Sequence, residues 1–134
     1  MKKLIYLFSL SFVFLSFGCN KDGIKPKNEI FIRVKNTSLI DYLNVSIYSG
    51  ISFKETETKQ VTLVKSGSFS DYVDFESAID PVGYHIKLTE NVSTGTTYFS
   101  PNNTKRLEKG KYTLELYVPI RGPFNVEAKL IKEN

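Results

Sequence analysis

Residues 110–118 read Gly-Lys-Tyr-Thr-Leu-Glu-Leu-Tyr-Val and show the most regular alternation of side chains in the chain. Tyr112, Leu114, Leu116 and Val118 fall on one face, and the positions between them include charged and polar residues. Apolar side chains at every second position are typical of a β-strand that packs one face against a core. The segment therefore predicts a half-buried strand.

The same period of two recurs, with turn residues between most of the segments, at 30–35, 45–48, 61–63, 69–75, 84–88, 96–99 and 124–130. No window of twelve residues supports an amphipathic helix. Seven or eight short strands of this kind predict an all-β fold, a single antiparallel β-sandwich with Greek-key connections, immunoglobulin-like or transthyretin-like. An up-and-down barrel is the main alternative, because alternation does not determine closure.

The approach to the 110–118 strand contains a second signal. Leu107, Gly110 and Tyr112 resemble the tyrosine corner of Greek-key sandwiches, in which the Tyr hydroxyl bonds to an upstream backbone group. A crossing between sheets leaves backbone polar groups unpaired, and a buried phenol can satisfy one of them. The alternative is a hairpin turn followed by an ordinary inward Tyr.

The N-terminus has the order of a bacterial lipoprotein signal peptide. Lys2 and Lys3 precede 14 uncharged residues, from Leu4 to Phe17, and Gly18 then precedes Cys19, the only cysteine. Such a run rises about 21 Å as a helix, which is too short for the roughly 30 Å hydrocarbon core. We expect removal of residues 1–18 by cleavage between Gly18 and Cys19, acylation of Cys19, a tether over 19–28 and one β-sandwich domain over 29–134. A secreted form with a free Cys19 is the alternative.

Cleavage would change the charge balance of the chain. Loss of Lys2 and Lys3 leaves 16 basic and 14 acidic residues, so the formal net charge falls from +4 to +2. A nearly neutral domain gives no electrostatic reason to expect nucleic-acid binding. Acylated Cys19 would also leave no thiol for a disulfide or a cysteine metal site.

Reactive groups suitable for catalysis are sparse. His85 is the only histidine, and its position in an alternating segment predicts a solvated strand face. The acidic residues Asp71, Asp74, Glu76 and Asp80 form a weak calcium candidate, since calcium takes clustered carboxylate oxygens. Alternation separates Asp71 from Asp74 and Glu76, so a solvated charged strand is the simpler interpretation. We predict no catalytic residues, no resident metal and no cofactor.

Four aromatic residues lie out of phase with the inward apolar set and are possible ligand-binding residues: Phe31, Tyr48, Tyr72 and Tyr117. Exposed aromatics on a sheet can stack on sugar rings or contact a protein partner. They can equally belong to a strand that is buried on both faces.

Taken together, residues 29–134 resemble the small β-sandwich lipoproteins common in Bacteroidota. The resemblance rests on the leader, Cys19, the 30–36 strand, the 67–72 segment and Gly110-Lys111-Tyr112. It implies diacylglyceryl and N-acyl groups on Cys19 and a membrane partner through that lipid. It also implies a place in the cell envelope at the outer membrane, periplasmic or surface-exposed.

The expected function is non-catalytic binding or scaffolding, with an envelope protein or a glycan as partner. A carbohydrate-binding surface module is the first alternative, and a carboxylate-dependent hydrolase using residues 71–80 is the second.

Replacement of Cys19 by Ala tests the lipid anchor. We expect metabolic palmitate labelling of the full-length chain to disappear in Cys19→Ala, because no other thiol is present to accept the diacylglyceryl group. Labelling that persists in Cys19→Ala, or that is absent from the unsubstituted protein, would contradict the prediction.

Overall fold

The computed structural model describes residues 29–50, 57–96, 104–121 and 125–134. The predicted signal peptide, Cys19 and the tether lie outside the described residues, as do positions 97–99 of one predicted strand and Phe124 of another. The described part is all-β, as predicted. It contains no helix with the length and apolar character needed to cross a membrane.

Ten strands appear in the described residues, more than the seven or eight expected. They are β1 (Ile30–Asn36), β2 (Tyr42–Tyr48), β3 (Thr58–Val64), β4 (Val73–Phe75), β5 (Ile79–Asp80), β6 (Gly83–Lys87), β7 (Ser93–Thr96), β8 (Lys105–Arg106), β9 (Gly110–Tyr117) and β10 (Glu127–Lys132). The additional elements include β5 and β8, which are two-residue strands too short to show a period.

The strands form two larger sheets and one ribbon. Sheet A has the order β10-β9-β1-β4, sheet B has the order β3-β2-β6-β7, and sheet C is the β5-β8 ribbon. All pairs are antiparallel except β1 and β9, which run parallel with Ile30 beside Gly110 and Asn36 beside Leu116. The expectation of a purely antiparallel sandwich was therefore wrong at this pair, because alternation carries no information about strand direction.

The core lies between sheets A and B. In β1 and β9 the even-numbered residues Ile32, Val34, Leu114 and Leu116 are buried, which confirms the predicted inward face. Sheet B contributes Val45, Ile47, Tyr84 and Ile86 to the same cluster, among others. Two separate sheets with a shared apolar interior correspond to a sandwich rather than to a closed barrel.

One predicted inward residue points outward. Leu63 is exposed, whereas its neighbour Val64 is buried beside Tyr42 of β2. The φ of Leu63 is +46°, a left-handed value that breaks the strict alternation of the strand. The pattern rule failed at this position because it assumes an undistorted extended backbone.

A buried polar cluster holds the crossing from β1 in sheet A to β2 in sheet B. Asn36 Nδ2 donates to the carbonyls of Ile40, at 2.8 Å, and Val64, at 2.9 Å. Its Oδ1 accepts from Ser38 N, and Ser38 Oγ accepts from Val118 N at 2.6 Å. The side chains of Asn36 and Ser38 thus satisfy backbone groups that have left their ladders.

Tyr42 completes this cluster from the first position of β2. Its hydroxyl donates to Leu116 O at 2.9 Å and contacts Ser38 Oγ at 2.5 Å. Tyr42 is fully buried, and burial raises the pKa of its phenol, so the hydroxyl keeps its proton as a donor. No described buried side-chain nitrogen or oxygen lacks a partner.

Tyr112 makes a second tyrosine-to-backbone bond. Its hydroxyl donates to Glu108 O at 2.8 Å, four residues upstream in the turn before β9. Leu107 is half-buried against the core, and its N–H donates to Ala78 O, which links this turn to the residues before β5. The bond has the form of a tyrosine corner, whereas the immunoglobulin-like or transthyretin-like assignment stays a prediction.

Two Tyr-to-Phe replacements measure what these hydroxyls contribute. We expect Tyr42→Phe to lower the free energy of unfolding by about 1–2 kcal/mol, and Tyr112→Phe by about 0.5–1.5 kcal/mol, since each loses a hydrogen bond with little change in volume. Denaturant unfolding provides the measurement, with Tyr48→Phe on the outer face of β2 as the control. An unchanged stability in Tyr112→Phe would remove its structural role.

Candidate functional site

The four predicted aromatic residues do not form one patch. Phe31 of β1 and Tyr117 of β9 lie on the outer face of sheet A, and the Tyr72 ring lies beside Arg33 of that face. Tyr48 alternates with the buried Ile47 of β2 and therefore lies on the outer face of sheet B. Phe31 is level with Lys111, six residues from Tyr117 along β9, so these two rings of sheet A also lie about 20 Å apart.

Cations cover two rings on the outer face of sheet A. The Arg33 guanidinium lies 4.2 Å from the ring centre of Phe69 and 5.0 Å from that of Tyr72. Lys111 Nζ lies 5.1 Å from the Tyr72 ring, and Lys35 Nζ lies 5.4 Å from the Phe69 ring. These are cation–π distances, so ring surface that could stack on a ligand is already used within the protein.

Glu133 connects the same face by hydrogen bonds. Its Oε1 accepts from Thr113 Oγ1 at 2.5 Å, and its Oε2 accepts from the Tyr72 hydroxyl at 2.6 Å. Arg33 Nε lies 3.1 Å from Glu133 Oε1 and donates to Thr113 Oγ1 at 3.0 Å. The bond from Thr113, followed by the bond from Tyr72, lowers the pKa of Glu133. Residues distant in the chain are thus fixed in one rigid surface.

The four acidic candidates do not converge on one site, although Asp74 and Glu76 both lie near Lys59 of β3. Asp74 pairs with Phe31 across β4 and β1, whereas Asp80 pairs with Lys105 in sheet C. Glu76 N donates to Glu57 Oε2, and this bond places Glu76 beside the start of β3. Within the described ranges, no group of three or more His, Cys, Asp or Glu side chains could hold a metal ion.

His85 lies on β6 opposite Ser46 and Gly95, on the outer face of sheet B. Its side chain is exposed, as the alternation predicted. Gly95 permits this pairing, because a Cβ there would lie 2.4 Å from Tyr84 O. The histidine thus occupies a flat solvated strand surface.

A cleft of about 200 Å³ lies near sheet C, lined by Asp80, Lys105, Arg106, Leu107, Glu108, Tyr112, Leu130 and Lys132. Lys132 Nζ donates to Glu108 Oε2 at 2.6 Å, and this bond lowers the pKa of Glu108 and raises that of Lys132. Three basic and two acidic residues line the cleft, so their charges partly neutralise one another. Its chemistry therefore selects neither an anion nor a cation strongly.

Among the described residues, the exposed large hydrophobic side chains lie towards one end of the sandwich, which the sequence analysis missed. We call the end at which β1 and β9 finish and β2 begins the distal end, because the chain enters β1 at the other end. The exposed large hydrophobic residues of the described part are Leu39, Leu43, Leu63, Phe69, Val92, Tyr117 and Ile120. Their positions in the topology show that all of them lie towards the distal end.

Strand pairing establishes these positions. Leu39 lies in the β1–β2 crossing, and Ile120 follows the end of β9. Leu43 and Leu63 flank the pair Tyr42–Val64 at the start of β2, and Phe69 bridges to Lys35 near the end of β1.

Val92 closes the turn after β6, whose last residue pairs with Asn44 near the start of β2. Leu39, Ile120 and Leu63 are 75%, 68% and 55% exposed. Isolated apolar residues among turn residues were the only sequence signal, and only the topology shows that they share one end.

Comparisons of the chain with protein-family models, with curated proteins and with solved structures find no match. The geometry of the molecule therefore carries the functional argument.

Glu133→Gln tests the network on the outer face of sheet A through its pH dependence. The folded state lowers the pKa of Glu133, so its stabilisation is complete above the unfolded-state pKa and is lost as pH falls through the folded-state pKa. We therefore expect the melting temperature of the unsubstituted protein to fall between about pH 5 and pH 3, and Glu133→Gln to flatten that fall.

Glu127→Gln, which changes an exposed acid of the same hairpin, is the matched control and should keep the full slope. Equal slopes in the Glu133 variant and the unsubstituted protein would contradict the assigned network.

Proposed function

We propose that this chain is a lipid-anchored protein of the cell envelope, with a non-catalytic β-sandwich that binds a partner protein through its distal end. The observation that carries the proposal is the grouping of the exposed large hydrophobics of the described residues at that end. Exposed apolar side chains grouped in this way are typical of protein interaction sites, and loops at one end of a sandwich are a common binding surface.

The direction of β1 supports a distal end that faces away from the membrane. An anchor at Cys19 would hold the start of β1 near the membrane, with nine residues between the cysteine and Glu29. A span of nine residues reaches about 30 Å when extended. Because β1 runs away from that point, its end would face away from the membrane and towards other envelope proteins.

The outer face of sheet A has a different role in this proposal. Arg33, Lys111 and Glu133 engage the rings and hydroxyls of that face, which stabilises the long β1–β9 pair. Carbohydrate recognition through Phe31, Tyr48, Tyr72 and Tyr117 is less well supported, since Tyr48 lies on the opposite sheet. The hydrolase alternative is less well supported, since Asp80 lies in sheet C, apart from Asp74 and Glu76 near Lys59.

Photo-crosslinking in living cells tests the distal end. A photoreactive amino acid at position 39 or 120 of the full-length chain should give a discrete covalent adduct with one envelope protein, identifiable by mass spectrometry. The same group at Lys105, on the ribbon near the other end, is the matched control and should give none.

A second arm separates loss of contact from loss of fold. We expect Leu63→Ser, combined with the probe at position 120, to reduce the adduct several-fold while the melting temperature changes little, because Leu63 is exposed. Equal adduct yields from both ends, or no adduct from positions 39 and 120, would overturn the proposal.

A further inference from the structure

The free edge of β10 is unlike the other sheet edges of the described part. β10 is a regular six-residue strand with β9 on one side and no described strand on the other. The edge strand β3 is distorted by the left-handed Leu63, β4 has three residues, and β7 has four. Distortion and shortness are devices that prevent edge pairing, and β10 has neither.

The backbone of β10 alternates its hydrogen-bonding groups between the two sides. Glu133 N, just beyond the strand, donates to Lys111 O of β9 at 2.9 Å. In an antiparallel ladder the direction reverses at each residue, so Ile131 and Lys129 also face β9. The N–H and C=O groups of Ala128, Leu130 and Lys132 therefore point to the free edge.

The charges on the outer face of β10 are complementary to those on the same face of a second, antiparallel copy of β10. Lys129, Ile131 and Glu133 share that face, because Leu130 and Lys132 pair with the inward residues Leu114 and Tyr112. If two copies of β10 pair antiparallel about Ile131, each Lys129 lies opposite a Glu133, and the two Ile131 side chains meet at the axis.

A symmetric centre at Ala128 would also pair Glu127 with Lys129, but it relies on residues 125–126, which lie outside the β9–β10 ladder, whereas the ladder continues to Glu133. Two nearer registers juxtapose like charges. A centre at Leu130 would place Glu127 opposite Glu133, and a centre at Lys129 would place the two Lys129 side chains together. Like charges directly opposite destabilise a sheet pair. The register about Ile131 also matches the backbone, since Leu130 of one copy and Lys132 of the other can exchange both of their hydrogen bonds.

We propose that this chain forms a twofold-symmetric dimer in which β10 pairs antiparallel with β10 of a second copy, with Ile131 on the axis. Sheet A then becomes one continuous eight-stranded sheet, because each copy contributes four strands. In this register the long Lys129 side chain of each copy faces Glu133 of the other, whose carboxylate also accepts bonds from Thr113 and Tyr72 on the β9 side.

The dimer is compatible with one membrane and with free distal ends. β1 lies two strands from β10, and Ile131 is level with Arg33, three residues beyond the start of β1, so the two chains enter the dimer about 30 Å apart. The two β1 strands run antiparallel in this dimer, so the distal ends point in opposite directions, sideways along the membrane rather than away from it as in the orientation proposed for a single copy. The inference does not rest on the proposed function, and either can fail without the other.

Disulfide trapping tests the register. In the full-length chain expressed in bacterial cells, Ile131→Cys should form a disulfide dimer on mild oxidation, because its two Cβ atoms lie across a close antiparallel pair. Lys129→Cys is the matched control, since its two copies would be about 13 Å apart along the strands. The unsubstituted protein, with Cys19 alone, gives the background on a non-reducing gel.

A charge reversal tests the complementarity. We expect Lys129→Glu, added to Ile131→Cys, to reduce the dimer several-fold because it faces Glu133 of the other copy, whereas Lys105→Glu in the same background should not. The proposal would be overturned if Ile131→Cys gave no more disulfide dimer than the background, or if Lys129→Cys gave as much dimer as Ile131→Cys. Equal reductions of the dimer by Lys129→Glu and Lys105→Glu would also overturn it. Unchanged melting temperatures confirm that each variant is folded.

Discussion

The structure depends on how the chain satisfies its backbone where it passes from one sheet to the other. Between β1 and β2 the chain leaves its ladders at a buried position, where an unpaired N–H or C=O would be costly. Asn36, Ser38 and Tyr42 supply side-chain partners, and Tyr42 reaches Leu116 O in the opposite sheet. Ser66 Oγ also donates to Ser38 O, so the β3–β4 crossing is tied to the same cluster.

This cluster also gives the two ends of the molecule different character. Buried hydrogen bonds, such as that from Val118 N to Ser38 Oγ, stabilise the crossing from β1 to β2. Its exposed positions therefore need not contribute to the core, and Leu39 there and Ile120 after β9 are exposed. The other described end contains the Tyr112–Glu108 turn and the β5–β8 ribbon, where charged groups pair with one another. Exposed apolar side chains grouped at one end are typical of protein interaction sites.

Much of the fold was predictable from alternation. The inward faces of β1, β2, β6 and β9 were correct because a strand between core and solvent imposes a period of two on its side chains. The failures have physical causes. Leu63 adopts a left-handed backbone, sheet C is too short to show a period, and the β1–β9 pair joins segments far apart in the chain. The candidate site was not predictable, because exposed apolar residues gain meaning only when the topology groups them.

The sequence by itself determined that the described part is all-β, which residues of the regular strands face inward, and that the chain's single cysteine follows a short apolar segment. These are local properties, set by spacing along the chain. The tertiary structure alone decided the parallel pairing of β1 with β9, the separation of Tyr48 from Phe31, Tyr72 and Tyr117, and the position of β10 at the edge of sheet A among the described strands. Each of these depends on which distant segments become neighbours, and local periodicity carries no information about such contacts.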